Sequence, residues 1–435
     1  MSKSNLIKRD LASLWHPGAR ARGYDTLPPI PIRSAEGVWL EDFEGRRYVD
    51  AISCGGINLF GHSNPRLAAA VQSSLSTLQQ IPFTSLSHAP AIELAERLCA
   101  LAPEGLNHCR LSDNRASAIV AALRISANFW VKSGQPKKQK FVTMERSFPT
   151  RGLDPMSPEM LYVPSPDAFL CDVSESHETW ARRQFLPMDE LLAREHSEIA
   201  AVIIEPLVQF GAGIRMYDPI YMTLLREACN RHDVHLIIDD TTMGLGRTGK
   251  MFACEHAEIS PDLLCLCNGL GGGYASVSAV LGNDSIYQGI FTAKEEPFTL
   301  AHPNRDSGNA LACSAALATL DIFAEDNVLQ TNQELVNRLT EVTQPFNDHP
   351  NIGEVRQTGM LLAIEVVEDN VSNTPYPTEQ RRGHRIFEYA LKQGVLLQPI
   401  GDVIYFMPPY VMAPEQIEII AEVVWQGLEL ATATN

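Results

Sequence analysis

Residues 36–50, Glu-Gly-Val-Trp-Leu-Glu-Asp-Phe-Glu-Gly-Arg-Arg-Tyr-Val-Asp, alternate apolar and polar side chains around a Glu-Gly turn. A period of two broken by such a turn predicts a β-hairpin. From about Pro65 the period lengthens to that of helices, as in Ala91 to Leu101, and short apolar runs then alternate with helical segments. The runs Ala200–Ile204, Val234–Ile238, Leu263–Cys267 and Ser276–Leu281 predict strands, and Ile220–His232 and Ala310–Phe323 predict helices. This alternation belongs to a mostly parallel α/β sheet, whose chemistry sits just past the carboxyl ends of the strands. Residues 324–435 add two helices and the strand-like Gly359–Val367 and Val403–Met407. The expected division is an amino-terminal segment and hairpin over 1–58, a large domain over 59–323, and a smaller α/β domain over 324–435 that includes the hairpin.

Three of those strand ends are polar. Glu205 ends the first, Asp239 and Asp240 the second, and Asn268 ahead of a Gly-rich turn the third. A carboxylate pair at a strand end can hold a protonated ring nitrogen, do acid-base work or bind a metal; it can also simply cap the next turn. Gly244-Leu-Gly-Arg-Thr-Gly249 matches a G-x-G-x-x-G nucleotide fingerprint in form, but no amphipathic helix follows it, so a plain Gly-rich loop is the better reading.

With 45% hydrophobic and 20% charged residues in 435, the composition is that of a globular protein with a large core, not of a disordered chain. A formal net charge of -17 repels phosphate backbones and anionic surfaces, which argues against nucleic acid and membrane partners. The charged first ten residues do not look like a signal peptide and no apolar run is long enough to span a bilayer, so a cytoplasmic protein is expected. The nine cysteines have no Cys-x-x-Cys spacing and are expected to be reduced core thiols, and no metal site is expected.

Asp239-Asp240 followed by Gly244-Leu-Gly-Arg-Thr-Gly-Lys-Met-Phe-Ala-Cys-Glu-His256 resembles the core signature of class III aminotransferases, fold-type-I enzymes that use pyridoxal phosphate (PLP). Further matches run in the family's order along nearly the whole chain: Leu14-Trp-His-Pro17, Gly37 to Gly45, Leu59-Phe-Gly-His62, Ala91 to Leu98, Ile204 to Gln209, Ala310 to Leu320 and Tyr405 to Tyr410. The nearest likeness is to the diaminopelargonate synthase branch. The resemblance implies a fold-type-I architecture, with a large, mostly parallel sheet flanked by helices and a smaller α/β domain. It also implies a homodimer with shared active sites.

Against that family pattern, the lysine that forms the Schiff base with PLP is replaced by Asn268, and no lysine occurs between Lys250 and Lys294. An amide nitrogen is delocalised into its carbonyl and cannot attack an aldehyde. The Gly-Ser step that holds the cofactor phosphate corresponds to Arg115-Ala116, the segment whose ring covers the cofactor to Phe148-Pro149-Thr150, and a phosphate-binding Ser/Thr to Arg305. Only Asp239, the partner of the pyridine nitrogen, stays as the family has it. On the substrate side a Trp-Trp pair becomes Gly55-Gly56 beside Cys54, and the carboxylate-binding Arg becomes Gln398.

The resemblance therefore sets out a candidate site. Asp239, Asp240, Asn268 and His302 are its catalytic candidates. Arg115, Ala116, Phe148, Asp239, Asn268 and Arg305 make up the altered cofactor site. Cys54, Gly55, Arg115, Phe148, Gln209, Arg305 and Gln398 form the substrate side. The expectation drawn from these changes is a crevice that takes no cofactor and is recruited to PLP-independent chemistry on a bulky or anionic small molecule. The alternatives are a pseudoenzyme or partner subunit of an intact paralogue, and a working class III aminotransferase. Arg115 and Arg305 either bind an anion or pair with Asp113, Asp306 or Asp239. Cys54 is expected as a small apolar filler.

Overall fold

A computed structural model describes residues 3–16, 27–83, 85–147, 159–172, 174–291 and 306–433. The chain divides into two units, one joining residues 1–65 to 334–435 and the other spanning Arg66–Gln333. The breaks fall seven and ten residues after those read from the pattern; the helix Ala310–Glu325, packed on Ala89–Leu101, lies in the larger unit.

The larger unit is built on a seven-stranded sheet. Its order is His108–Ser112, Ser278–Gly282, Leu263–Leu266, His235–Asp239, Ile199–Ile204, Lys140–Met144 and Met160–Val163. Every pairing is parallel except the two made by Ser278–Gly282, which runs against its neighbours. The central strands are apolar on both faces, with all six residues of Ile199–Ile204 buried, as a sheet covered on both sides demands. One covering element is the helix Arg115–Lys132. Its Ala118, Ile119, Ala122 and Ile125 share a core with Ala201, Ile203, Ile237, Leu263 and Val280.

Register then places the chemistry. Ile238 pairs with Ile204 and Asp239 with Cys265, so Glu205, Asp239 and the turn at Asn268 emerge side by side from one edge. The strand His108–Ser112 runs parallel to them and delivers the start of Arg115–Lys132 to the same edge. The Gly244–Gly249 loop closes on itself through Gly246 N–H to Met251 O at 3.3 Å and Gly249 N–H to Gly246 O at 3.1 Å. Only a five-residue 3-10 turn, Ala253–Ala257, follows, so this is a plain loop.

The smaller unit holds the predicted hairpin as part of a four-stranded sheet. Its order is Ile32–Glu36, Trp39–Asp42, Arg47–Asp50 and Val395–Leu396. A second sheet joins Ile352–Thr358, Leu361–Val366 and Val403–Phe406, with the helices Arg382–Lys392 and Pro414–Thr432 packed on each other. Among the described residues no helix is long and apolar enough to cross a membrane.

Candidate active site

The centre of the site in the larger unit is an ion pair. Arg115, first residue of its helix, donates from Nη2 to Asp239 Oδ2 at 2.7 Å and lies 3.6 Å from Glu205 Oε1. The Asp239 side chain is wholly buried and that of Glu205 is 3% exposed, so each carboxylate depends on this guanidinium and on neighbouring donors for its charge. Those donors are specific. Thr241 gives its hydroxyl and its N–H to Asp239 Oδ1, and Ser147 Oγ donates to Glu205 Oε2 at 3.1 Å. Of the pairings open to Arg115 in the sequence, the structure selects Asp239 and adds Glu205, which the sequence marked only as a strand end.

Local structure explains why the guanidinium arrives there. Asn114 caps the helix by accepting Ser117 N–H at 2.9 Å, which fixes the first turn at the sheet edge with Arg115 facing the strands and Ala116 exposed. Ser276 and Ser278 donate to Asp113 O and Asn114 O, tying that turn to the antiparallel strand. Asn268 is half-buried; its backbone N–H donates to Thr241 O at 2.8 Å, while its side chain makes no hydrogen bond among the described residues.

Asp240 points elsewhere. Its Oδ2 accepts Ala253 N–H at 2.9 Å, its Oδ1 has no partner among the described residues, and burial pushes its carboxyl up to about 7, with Asp239 and Glu255 adding to the rise. Gly244 lies so close that a Cβ there would stand 2.8 Å from the Asp240 backbone carbonyl oxygen and 3.2 Å from its Oδ2, so this carboxyl is packed against the Gly-rich loop. Gln209 is also engaged, donating to Glu145 O at 3.1 Å and accepting from Ser165 Oγ. The structure thus brings together Arg115, Asp239, Asn268 and Glu205, with Ala116 on the adjoining turn. Phe148, His302 and Arg305 lie outside the described residues.

Cys54, Gly55 and Gln398 belong to the smaller unit, where Gln398 is exposed. Cys54 is exposed too, its sulfur 3.8 Å from His62 Nε2, and so it is not the apolar filler expected. All nine cysteines are free; four are buried and four half-buried, leaving Cys54 outside the core-thiol expectation.

Compared with known proteins, residues 19–428 match the family description Aminotransferase class-III. The chain belongs to the class III aminotransferases. It is similar to an adenosylmethionine-8-amino-7-oxononanoate aminotransferase of Nitratidesulfovibrio vulgaris, 33% identical over 97% of this chain and 81% of that one. A crystal structure of the enzyme of that name from Methanocaldococcus jannaschii matches with a TM-score of 0.91 at 28% identity, over 99% of this chain and 100% of that chain. An omega transaminase from Pseudomonas jessenii, solved in complex with PMP, matches with a TM-score of 0.92 at 28% identity over 98% of both chains. The expected fold-type-I architecture is therefore the observed one. The expectation that the crevice takes no cofactor is corrected by the same findings. The chain belongs to a family of aminotransferases, and a solved relative holds PMP in this fold.

Proposed function

We propose that this class III aminotransferase takes a pyridoxal-type cofactor in its amine form, held by charge and hydrogen bonds alone. Its partner in the reaction is a small amino or oxo compound, of the kind named in its adenosylmethionine-8-amino-7-oxononanoate aminotransferase relatives. The donor set present fits that form and not a covalently anchored one. Asn268 supplies no amine for a covalent bond, whereas the amine form brings its own amino group. Asp239, fixed by Thr241, offers a carboxylate to a protonated ring nitrogen. The exposed first turn at Ala116 offers a backbone N–H to a phosphate. When bound, the cofactor would carry the amino group and withdraw electrons from the substrate.

The observation that carries this reading is the buried Asp239 carboxylate, held at the sheet edge with a guanidinium on one oxygen and a hydroxyl on the other. The residues of this chain bind and orient. Asn268 can give and take hydrogen bonds but moves no proton, so turnover is slow with asparagine at this position. The site works in a homodimer, as the family resemblance implies. Equilibrium dialysis against PMP and PLP, amino transfer from S-adenosylmethionine, and light scattering test the reading. The expected result is a dimer that retains PMP, with transfer that is slow in the native chain and faster in Asn268→Lys. Retention of neither PMP nor PLP by the native chain, together with no uptake of PLP by Asn268→Lys, would sink it.

One observation favours a second reading, a partner subunit of an intact relative: the position that must carry an amine is Asn268. Recovery of the chain from its host as a heterodimer with a lysine-bearing relative would select that reading.

A further inference from the structure

In the smaller unit, three side chains of different chemistry converge on one point. Asp50 ends the strand Arg47–Asp50, Cys54 follows in a tight turn, and His62 lies a little further along. His62 Nε2 is 3.1 Å from Asp50 Oδ2 and 3.8 Å from Cys54 Sγ, and the ligand atoms of all three lie within 4.8 Å of one another. A tetrahedral zinc with bonds of about 2.0–2.3 Å keeps its ligand atoms roughly 3.3–3.6 Å apart, so the trio is spaced for one ion with small adjustments.

We propose that Asp50, Cys54 and His62 form a zinc site, with three protein ligands and a fourth position open to water or a carboxylate. The surroundings are those of a built site. Asp50 Oδ1 accepts the N–H groups of Ile52 and Cys54 at 3.1 and 3.0 Å, which leaves Oδ2 aimed at His62. The Asp50 side chain is fully buried and that of His62 is 11% exposed, while Cys54 is exposed and supplies the open side. On the far side of the imidazole, Nδ1 meets the Asn58 side-chain amide at 3.1 Å. The group facing Nδ1 is the amide nitrogen, Asn58 Nδ2; flipping that amide puts its oxygen there, where it accepts the Nδ1 proton and leaves Nε2 as the ligating atom.

The backbone points the same way. Ser53 and Cys54 hold φ of +49° and +47°, a left-handed conformation unfavourable for side chains with a Cβ, and Gly55 and Gly56 continue it at +82° and +84°. Ser53 Oγ donates to Met407 O at 2.7 Å and pins the turn. This conformation puts the thiol over His62. Soft thiolate and imidazole with a single carboxylate select zinc over magnesium or calcium. A cysteine thiol is ordinarily protonated at neutral pH, whereas it ligates a metal as the thiolate. Binding of one ion therefore releases the Cys54 proton to solvent and forms the metal–sulfur bond in its place.

The test is a Co2+ titration of the full chain, purified in chelator and then freed of it, followed by Zn2+ competition. One Co2+ per chain is expected, with a near-ultraviolet thiolate-to-cobalt absorption that Zn2+ abolishes. Calorimetry of Zn2+ binding in two buffers of different ionisation heat should read the release of one proton. Cys54→Ser should lose the absorption and weaken Zn2+ binding by more than the roughly 10- to 100-fold that loss of an outer partner costs. No thiolate absorption in the native chain, or the same absorption in Cys54→Ser, would overturn the proposal; the second outcome would assign the metal to another cysteine.

Discussion

Two regions of this chain answer the loss of family side chains in opposite ways. At the sheet edge of the larger unit, the arginine at position 115 is held inside by two carboxylates, Asp239 at 2.7 Å and Glu205 at 3.6 Å, with Thr241 and Ser147 completing their shells. In the smaller unit, the thiol at position 54 joins a carboxylate and an imidazole but stays on the surface, with an open side. The first arrangement is closed by its own charges and the second is left short of one. What separates them is desolvation. A guanidinium can neutralise buried carboxylates within the chain, whereas a neutral thiol beside a carboxylate cannot and gains only from an added cation.

The sharpest way to break this comparison is Arg115→Ala. Removing the guanidinium leaves Asp239 and Glu205 buried without it, and the expected loss is about 3–5 kcal/mol of stability, measured by urea denaturation. An effect below about 1 kcal/mol would mean that the pair is not closed in solution. The double replacement Arg115→Met with Asp239→Asn removes both charges together, and should return half or more of that loss in the same measurement.

A smaller effect separates the two neighbours Asp239 and Asp240. Burial raises the Asp240 carboxyl to about 7 from its ordinary 3.8, so between these values the folded chain holds a proton that the unfolded chain has lost. Stability from this group is complete below about pH 4 and fades as pH climbs to about 7. Asp240→Asn should flatten that part of the stability profile. An unchanged slope would place the proton on another group. The smallest effect belongs to the open region. Without metal, Cys54→Ser should shift stability by no more than about 0.5 kcal/mol, because an exposed thiol gives up little packing. A larger loss would show the turn to be closed after all.

The strands were readable because a sheet buried on both faces needs unbroken apolar runs. Ala200–Ile204 and Leu263–Cys267 fall within a residue of the observed Ile199–Ile204 and Leu263–Leu266, and the helix Ile220–His232 has the same bounds in both. The convergence of Glu205, Asp239 and Asn268 followed from strand ends alone. The choice of partner did not. Arg115 lies 124 positions from Asp239 in sequence, and which carboxylate it meets depends on a helix cap and a rotamer, neither of which leaves a periodic signal. Glu205 was visible as a strand end, but nothing in the sequence showed which cation it would face. Asp50 and His62 were hidden differently. They sit inside a hairpin end and a motif that match the family scaffold, and only a left-handed turn makes Cys54 their neighbour.

That turn also carries a consequence for descent. A side chain held at φ of +47° works against its own backbone by about 1–2 kcal/mol, a burden that glycine would relieve without moving the chain. Random substitution at position 54 should therefore favour glycine wherever the sulfur has no task. Among near relatives that share Asp50 and His62, the proportion that keep cysteine between them becomes a record, independent of any assay, of whether the thiol has been in use.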